Sequence, residues 1–505
     1  MPTDPQTDRG GLWSPDRRAL TIGLILTVTI VASESLAVAT IMPIVADDLA
    51  AGSRDLYGWV FSGFLLGSLV GIVLAGLLVD RSSLARAYVL GIVLFAIGLL
   101  VGGLAPSMEL LVGGRVLQGI GAGAIPAVAY VAIGRALHER LRPLMFATLS
   151  TAWVVPGVVG PALAGIVAET LHWRIVFLGL LPLAAIAVTM TLPALAAIRS
   201  PAGQLEAEHE AAARAGTRLP FALLLAAGAG LTVAGLTDAK AFPGLPLVGA
   251  GLALGIPAFR RLTPPGTLRA ARGLPVTVLL RGLLTFAFFT ADVYVALALV
   301  DWRHLSAAAA GLALTAATLT WTAGSWIQAR WVGRYGTRAF VRAGAGVVAL
   351  GVVGFALVLV PEVPVPVGVA FWAVAGFGMG LSYSPLSLTV LRDARPESQG
   401  AATAGLQLSD VLGTSLGTGI GGALIAFGHR EGYEDWVGLA AAFAVGAFAA
   451  LVAFIIAGRM AVGKFRSAAP SASGVEAPAA DSPAQPEGGA TPLPLSSPGE
   501  RESAG

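Results

Sequence analysis

Five ionisable side chains stand inside long apolar runs where a membrane helix ordinarily excludes charge: Glu34, Arg115, Arg281, Asp292 and Asp410. Arg115 lies in Leu111-Val-Gly-Gly-Arg115-Val-Leu-Gln118-Gly119-Ile-Gly121-Ala-Gly123, and the apolar run continues to Ile133. A guanidinium near the bilayer centre costs roughly 2.5–3.5 kcal/mol on the insertion scale, so such a charge faces a wet cavity or a partner. That points to a transporter. Glu34 and Asp292 sit toward the outer third of their expected helices, and Asp410 nearer the middle. Burial favours the neutral form of a carboxyl, whereas a nearby arginine favours the charged form. A carboxyl held between those influences can load and release a proton as a cavity switches sides, which is what proton-coupled antiport requires. Two other roles fit the same carboxylates: fixed counter-ions for Arg115 and Arg281, or anchors for cationic substrates. Gln118, Tyr130, Trp153, Arg281, Tyr294, Trp321, Tyr383 and Gln407 fall near the same depth. They are candidates to line a substrate cavity of large apolar faces with few polar groups. Each of the aromatic and amide residues, taken singly, reads first as helix packing or an interfacial residue.

The elements that position these groups are membrane helices. The 505 residues are 56% hydrophobic and 12% charged, with a mean hydropathy of +0.79, about half the charge of a soluble protein. Apolar runs of roughly spanning length fall near 20–43, 57–79, 87–105, 109–134, 145–168, 174–196, 219–236, 243–259, 274–300, 306–328, 339–360, 365–390, 400–427 and 436–458. The short, Pro-rich run at 243–259 is the weakest of these. With the N-terminus inside, 25 of the 32 Lys and Arg fall in inner loops and five outside (Arg54, Arg174, Lys240, Arg303, Arg430), while Arg115 and Arg281 lie within spans. This five-to-one bias is what the positive-inside rule expects, and removing any one span would invert every later loop. Both termini are therefore expected in the cytoplasm. The first span is too long for a signal-peptide core and carries Glu34, so cleavage is not expected. Trp13, Trp59, Trp173, Trp302 and Trp436 at span ends read as an interfacial belt.

The expected organisation is a cytoplasmic segment 1–19, a six-helix bundle 20–196, a cytoplasmic linker 197–218, two inserted helices and a loop 219–273, a second six-helix bundle 274–460, and a cytoplasmic tail 461–505. The linker holds Glu206, Glu208 and Glu210 among alanines and reads as a short surface helix. The tail is rich in Pro, Ser, Ala and Gly, a composition that does not fold. The two bundles echo one another. Val159-Gly160-Pro161-Ala-Leu163 aligns with Leu412-Gly413-Thr414-Ser-Leu416, 253 positions on, as does Asp80-Arg81-Ser-Ser83 with Gly333-Arg334-Tyr-Gly336. Gly119-Ile-Gly121-Ala-Gly123 meets Gly376-Phe-Gly378-Met-Gly380 at an offset of 257.

Three motifs carry a family resemblance. After span two comes Gly76-Leu-Leu78-Val-Asp80-Arg81, where Asp80 can cap the next helix and Arg81 and Arg86 can pair with carboxylates or helix ends, latching the inner side. The Arg115 segment is the second. In span five, Pro156-Gly157-Val-Val-Gly160-Pro161-Ala-Leu-Ala-Gly165 combines glycines suited to close packing with a proline that bends a helix. These residues resemble the major facilitator superfamily over roughly 20–460, and in particular its fourteen-span drug:proton antiporters. The chain departs from the family pattern at Ser83, Leu84, Ala85 and Ala164. The resemblance links Arg115 to proton transfer and Gly157, Gly160, Pro161 and Gly165 to exporters. It also puts an acidic residue nine positions before the proline of span one, here Glu34 before Pro43. Glu34 is on that ground the first candidate for the proton carrier, and Asp410, on a glycine-rich helix, the second.

The expected fold is all-α: two six-helix bundles and two inserted helices, about fourteen spans. The expected function is proton-coupled export of small amphipathic or cationic compounds by alternating access across the cell membrane, as in multidrug efflux. Transport of an endogenous lipid, siderophore or metabolite, or import, is the alternative. The chain is expected to act as a monomer on a small-molecule substrate and protons within a lipid bilayer, with no nucleic acid, metal or other cofactor. It contains no Cys and five scattered His. It also has no Walker sequence, zinc-type His/Glu spacing or nucleophile elbow, which argues against an ATP-driven pump or an enzyme. A fourteen-span peptide symporter would carry an acidic cluster in its first helix that is missing here.

Overall fold

A computed structural model describes residues 11–49, 56–81, 83–198, 204–237 and 241–461. Arg9, Arg54, Ser82, Arg199, Lys240 and the tail from 462 lie outside the described residues, as do the side chains of Arg81 and of 204–217. The first half contains α1 (Arg18–Leu49), α2 (Tyr57–Arg81), α3 (Leu84–Gly103), α4 (Met108–Ala136), α5 (Arg142–Thr151), α6 (Val154–Val167), α7 (Trp173–Leu178) and α8 (Leu180–Ala197). Then come α9 (Gln204–Thr237) and α10 (Ala241–Leu262). The second half contains α11 (Leu274–Leu297), α12 (Ala307–Tyr335), α13 (Thr337–Phe355), α14 (Val365–Asp393), α15 (Gln399–Arg430) and α16 (Asp435–Ile456). No β-strand occurs among the described residues.

Twelve stretches among the described residues are long and apolar enough to cross a membrane. One of them, Arg142–Ala197, has 56 residues, room for two crossings at about 20 residues each. It reverses at His172, whose backbone is extended and whose ring accepts the Arg174 N–H. The alanine- and threonine-rich α12 is not among the twelve, but at 29 residues it is long enough for one further crossing. The fourteen expected segments are thus all helical. Two boundaries and one side chain differ from expectation. Helix α1 runs to Leu49, which puts Glu34 midway along it rather than in its outer third. The linker is no separate surface helix, because Gln204–Thr237 is one continuous helix through Pro220. Trp173 is buried and donates to Asp48 Oδ2 at 2.9 Å, so it packs rather than lining an interface.

Glycine sets how closely the helices approach. A Cβ on Gly119 or Gly123 of α4 would collide with the backbone of Phe64 or Ser68 on α2, and one on Gly121 with Gly91 and Phe95 on α3. In the second half, Gly376 and Gly380 of α14 abut Ala317 and Trp321 on α12, and Gly378 abuts Gly344 and Val348 on α13. Every partner lies 253 positions after its counterpart and every glycine 257 after, so the sequence repeat is also a packing repeat. Each half has its own core. A third core joins Leu69, Ile72 and Val73 of α2, Ala222 and Leu225 of α9, Phe259 of α10 and Leu408 of α15, so the inserted pair packs along the seam between the halves.

Candidate functional site

Two charged clusters occupy the interior, one in each half. In the first, α1 presents Glu34 and α4 presents Arg115. Arg115 Nη1 donates to Glu34 Oε1 and, at 2.9 Å, to Gln118 Oε1, while its Nε donates to the Val60 carbonyl at 3.1 Å. The guanidinium carbon lies 4.3 Å from the centre of the Phe64 ring. The cluster is sealed, with side-chain exposure of 2% for Arg115 and 1% for Glu34. Glu34 Oε2 and Gln118 Nε2 have no protein partner.

The second cluster joins three helices of the other half. Arg281 of α11 donates through Nε to Asp410 Oδ1 of α15 at 2.9 Å and through Nη1 to the Tyr383 carbonyl of α14 at 2.8 Å. The Tyr383 hydroxyl donates to Asp410 Oδ2 at 2.7 Å, and the Arg281 guanidinium carbon lies 3.1 Å above the Tyr383 ring centre. Tyr130, from α4 of the first half, interacts with both Arg281 and Tyr383. Aromatic rings continue from it, with Trp321 edge-on to Tyr383 and to Phe288 at 5.4 Å each, and Phe288 stacked on Trp372 at 4.8 Å. Arg281 is fully buried, but the Asp410 side chain is 17% exposed.

The other expected residues join neither cluster. Asp292 sits in the C-terminal third of α11, half-buried and without a described hydrogen bond or ion pair. The Tyr294 hydroxyl donates to the Thr418 carbonyl at 2.7 Å and ties α11 to α15. Trp153 is exposed between α5 and α6, and Gln407 is buried one turn from Asp410.

The latch forms with a different partner from the one expected. Asp80 caps not the next helix but α15, 320 positions away, accepting the N–H groups of Gly400 and Ala401 at 2.8 Å each. Helix α3 is capped instead by the Ser83 hydroxyl, which accepts the Arg86 N–H at 3.2 Å. The reason is geometric: Gly76 and Gly400 have no Cβ, so α2 and α15 come close enough for the carboxylate to reach the helix end. The Arg86 side chain is exposed and pairs with no described carboxylate. Arg135 and Arg218, which the motif does not mark, face Asp80 instead. Thr322 to the Ser150 carbonyl at 3.5 Å and Trp326 Nε1 to Thr151 at 3.0 Å tie the middle of α12 to the C-terminal end of α5.

Span five bends before the expected proline. Pro161 lies within α6, and the interruption falls at Ala152–Trp153. Pro156 has no N–H, so the Ala152 carbonyl four residues back loses its helical donor; the Thr29 hydroxyl of α1 donates to it at 3.3 Å. Nor are the glycines of this segment close-packed. A Cβ on Gly157 would stand 3.7 Å from Thr318 Cγ2, on Gly160 4.0 Å from Pro156 Cβ, and on Gly165 3.9 Å from Thr40 Cγ2. Val60, Phe64 and Ser387, which complete the clusters, are backbone, apolar or small partners with no marker in the sequence.

The chain matches the family model described as Major Facilitator Superfamily over residues 22–418 and 277–496. It is similar to a probable multidrug-efflux transporter of Mycobacterium tuberculosis, 29% identical over 451 residues that cover 84% of this chain and 91% of the relative. An MFS-type transporter of the same organism is 30% identical over 437 residues, 84% of this chain and 62% of the relative. Among solved structures, the human organic anion transporter MFSD10 superposes with a TM-score of 0.65 at 16% identity, over 88% of this chain and 99% of that one. The proton:xylose symporter XylE superposes with a TM-score of 0.61 at 12% identity, over 86% and 94%.

Proposed function

The chain belongs to the major facilitator superfamily, a multi-pass membrane transporter, and on that premise we propose that it exports amphipathic cations in exchange for protons, with Asp410 as the proton carrier. The observation behind this reading is the setting of Asp410. It is the carboxylate that pairs with an arginine, accepts a tyrosine hydroxyl, stays partly exposed and has a side chain of the opposite half, Tyr130, beside its partners.

The chemistry follows from charge. Ionised, Asp410 balances Arg281 and presents one carboxylate next to the faces of Tyr383, Trp321 and Phe288, a combination that suits a flat or lipophilic cation. Protonation removes the charge, weakens the bonds to Arg281 and Tyr383, and leaves the cation without its counter-ion. Proton and substrate therefore compete for one group, which is the condition for exchange. Tyr130 carries the change across the seam, because it touches the residues whose bonding alters. Glu34 and Arg115, sealed in the first half, are read as a fixed pair that holds α1 on α4. Asp292, unpartnered toward the far end of α11, is read as a second carboxyl on the substrate's exit side.

The positive-inside rule places the arginine-rich end in the cytoplasm. On this reading the Asp80 latch holds the cytoplasmic side closed, and the partly exposed Asp410 carboxylate is reached from outside. The membrane would be the cell membrane, with both termini inside. In proteoliposomes, a lipophilic quaternary cation moving down its gradient should drive protons the opposite way. Protons moving with the cation, or not moving, would overturn the reading.

A further inference from the structure

The face of α15 that carries Asp410 holds two more polar side chains toward the helix N-terminus, Gln407 and Thr403. At 3.6 residues per turn the three fall within a sector of about 60°, and at 1.5 Å rise per residue they are spaced about 4.5 and 6 Å along the axis. Both are buried, with Thr403 1% and Gln407 6% exposed, yet the Thr403 hydroxyl and the Gln407 amide oxygen have no protein partner. Thr403 is unusual in this. Thr27, Thr285 and Thr389 return their hydroxyls to the carbonyl four residues back, the ordinary solution for a buried threonine in a helix. A buried polar atom without a partner costs free energy and calls for an explanation, and a separation of one helical turn suits a single bridging water. The ladder ends at Gly400 and Ala401, where Asp80 accepts the first N–H groups of α15 and Arg135 and Arg218 face that carboxylate.

Resting on Asp410 as the carrier, we infer that Thr403 and Gln407 line the route by which a proton passes between Asp410 and the arginine-rich end of the molecule. The Asp410 carboxyl gives its proton to a water held by Gln407 Oε1. That water passes a proton to one held by Thr403 Oγ, which releases one to solvent beside the N-terminus of α15. Each hop breaks one O–H bond and forms another, so charge and atoms balance. The groups that face the route are Arg281 of α11, Tyr383 of α14 and Tyr130 of α4 at its inner end, and Asp80 of α2, Arg135 of α4 and Arg218 of α9 at its mouth. Two arginines at the mouth disfavour a resting hydronium, so the route passes protons without storing them.

Thr403→Val and Gln407→Leu keep the shapes and remove the polar atoms. In proteoliposomes with a lipophilic quaternary cation, proton flux driven by the cation should fall about tenfold, the rate equivalent of one lost hydrogen bond. In Thr403→Val, cation–cation exchange at equal pH should change by less than about twofold on the same scale, and Thr403→Ser should restore the flux. Unchanged flux in both variants overturns the route. So does an equal loss of flux and exchange that Thr403→Ser fails to reverse, which marks a packing role. Asp410→Asn separates the two readings: flux surviving it removes the carrier on which the route rests, whereas flux lost there but kept in both variants removes the route alone.

Discussion

The two halves each bury an arginine–carboxylate pair, and the pairs differ in what can reach them. Glu34 and Arg115 are enclosed by their own half, with the Val60 carbonyl, Gln118 and the Phe64 ring completing the shell. Asp410 and Arg281 sit at the seam, partly open, with a tyrosine from each half alongside. The duplication does not produce this pairing. The position 257 after Arg115 is Trp372, buried against Phe288, and the position 253 after Glu34 is Ala287. The two charged pairs thus stand at non-equivalent positions on a shared framework of glycine contacts. A buried ion pair is thus weak evidence of a working site; access and a contact from the moving half are the stronger marks.

The largest effect that would test this contrast comes from neutralising the two carboxylates. Asp410→Asn should abolish uphill transport and weaken cation binding, since the amide fills the site but can neither take up a proton nor balance the cation. Glu34→Gln leaves Arg115 without its counter-ion and should lower stability, but per folded molecule it should keep uphill transport within about tenfold of the parent. Gradient-driven uptake of a lipophilic cation into everted vesicles measures both. Equal loss in the two variants would erase the distinction and return Glu34 to first place.

Much of the framework was legible in the sequence, because spans are long apolar runs and the repeat is written in glycines that the packing uses. Both arginines and their carboxylates were visible as charges in apolar helices. That they could serve as counter-ions was visible too; which carboxylate meets which arginine was not, since nothing local to Glu34 or Asp410 specifies a partner on a helix 81 or 129 positions away. The Asp80 motif was visible and its target was not, because the α15 end it caps is 320 residues on. In span five both prolines were visible and the bend was expected at Pro161, but the break follows from the carbonyl that Pro156 abandons, and Thr29 on another helix satisfies that carbonyl.

The next effect is on stability. Removing one partner of a buried pair strands the other charge and costs ~3–5 kcal/mol, whereas removing both can be nearly neutral. Arg115→Met should therefore lower the melting temperature in detergent markedly, and Glu34→Gln combined with Arg115→Met should recover most of the loss. An Arg281→Met variant should lose less than Arg115→Met, because Asp410 keeps partial access to solvent and the Tyr383 hydroxyl. Comparable losses at the two arginines would mean that the seam cluster is as sealed as the other.

A smaller effect is expected at the latch, which grips α15 and hence the helix that carries Asp410. Asp80→Asn keeps one acceptor for two N–H groups and removes the anion at a helix N-terminus, a change of about 1 kcal/mol. The chain has no cysteine, so Ser150→Cys with Thr322→Cys can report closure by disulfide formation. Cross-linking should fall roughly fivefold with Asp80→Asn, the population equivalent of that energy. Undiminished cross-linking would show that α5 and α12 close without the latch.

The smallest effect is expected in span five. Gly119 and Gly160 belong to motifs of equal prominence, but a Cβ on Gly119 meets the Phe64 backbone and one on Gly160 meets nothing nearer than Pro156 at 4.0 Å. Gly119→Ala must push α4 from α2, the helix whose Val60 carbonyl and Phe64 ring enclose Arg115, and should lower both melting temperature and transport. Gly160→Ala and Gly157→Ala should raise stability by about 0.5 kcal/mol, since alanine is the better helix former and both sites have room for its methyl group. Transport should stay within about twofold of the parent, the scale of that energy. If Gly160→Ala instead stops transport with its melting temperature unchanged, the glycine is needed where α6 packs closely, in the state open at the arginine-rich end. Span five would then join Asp410 among the parts whose contacts change during transport, while the Glu34 pair would remain the fixed point about which they move.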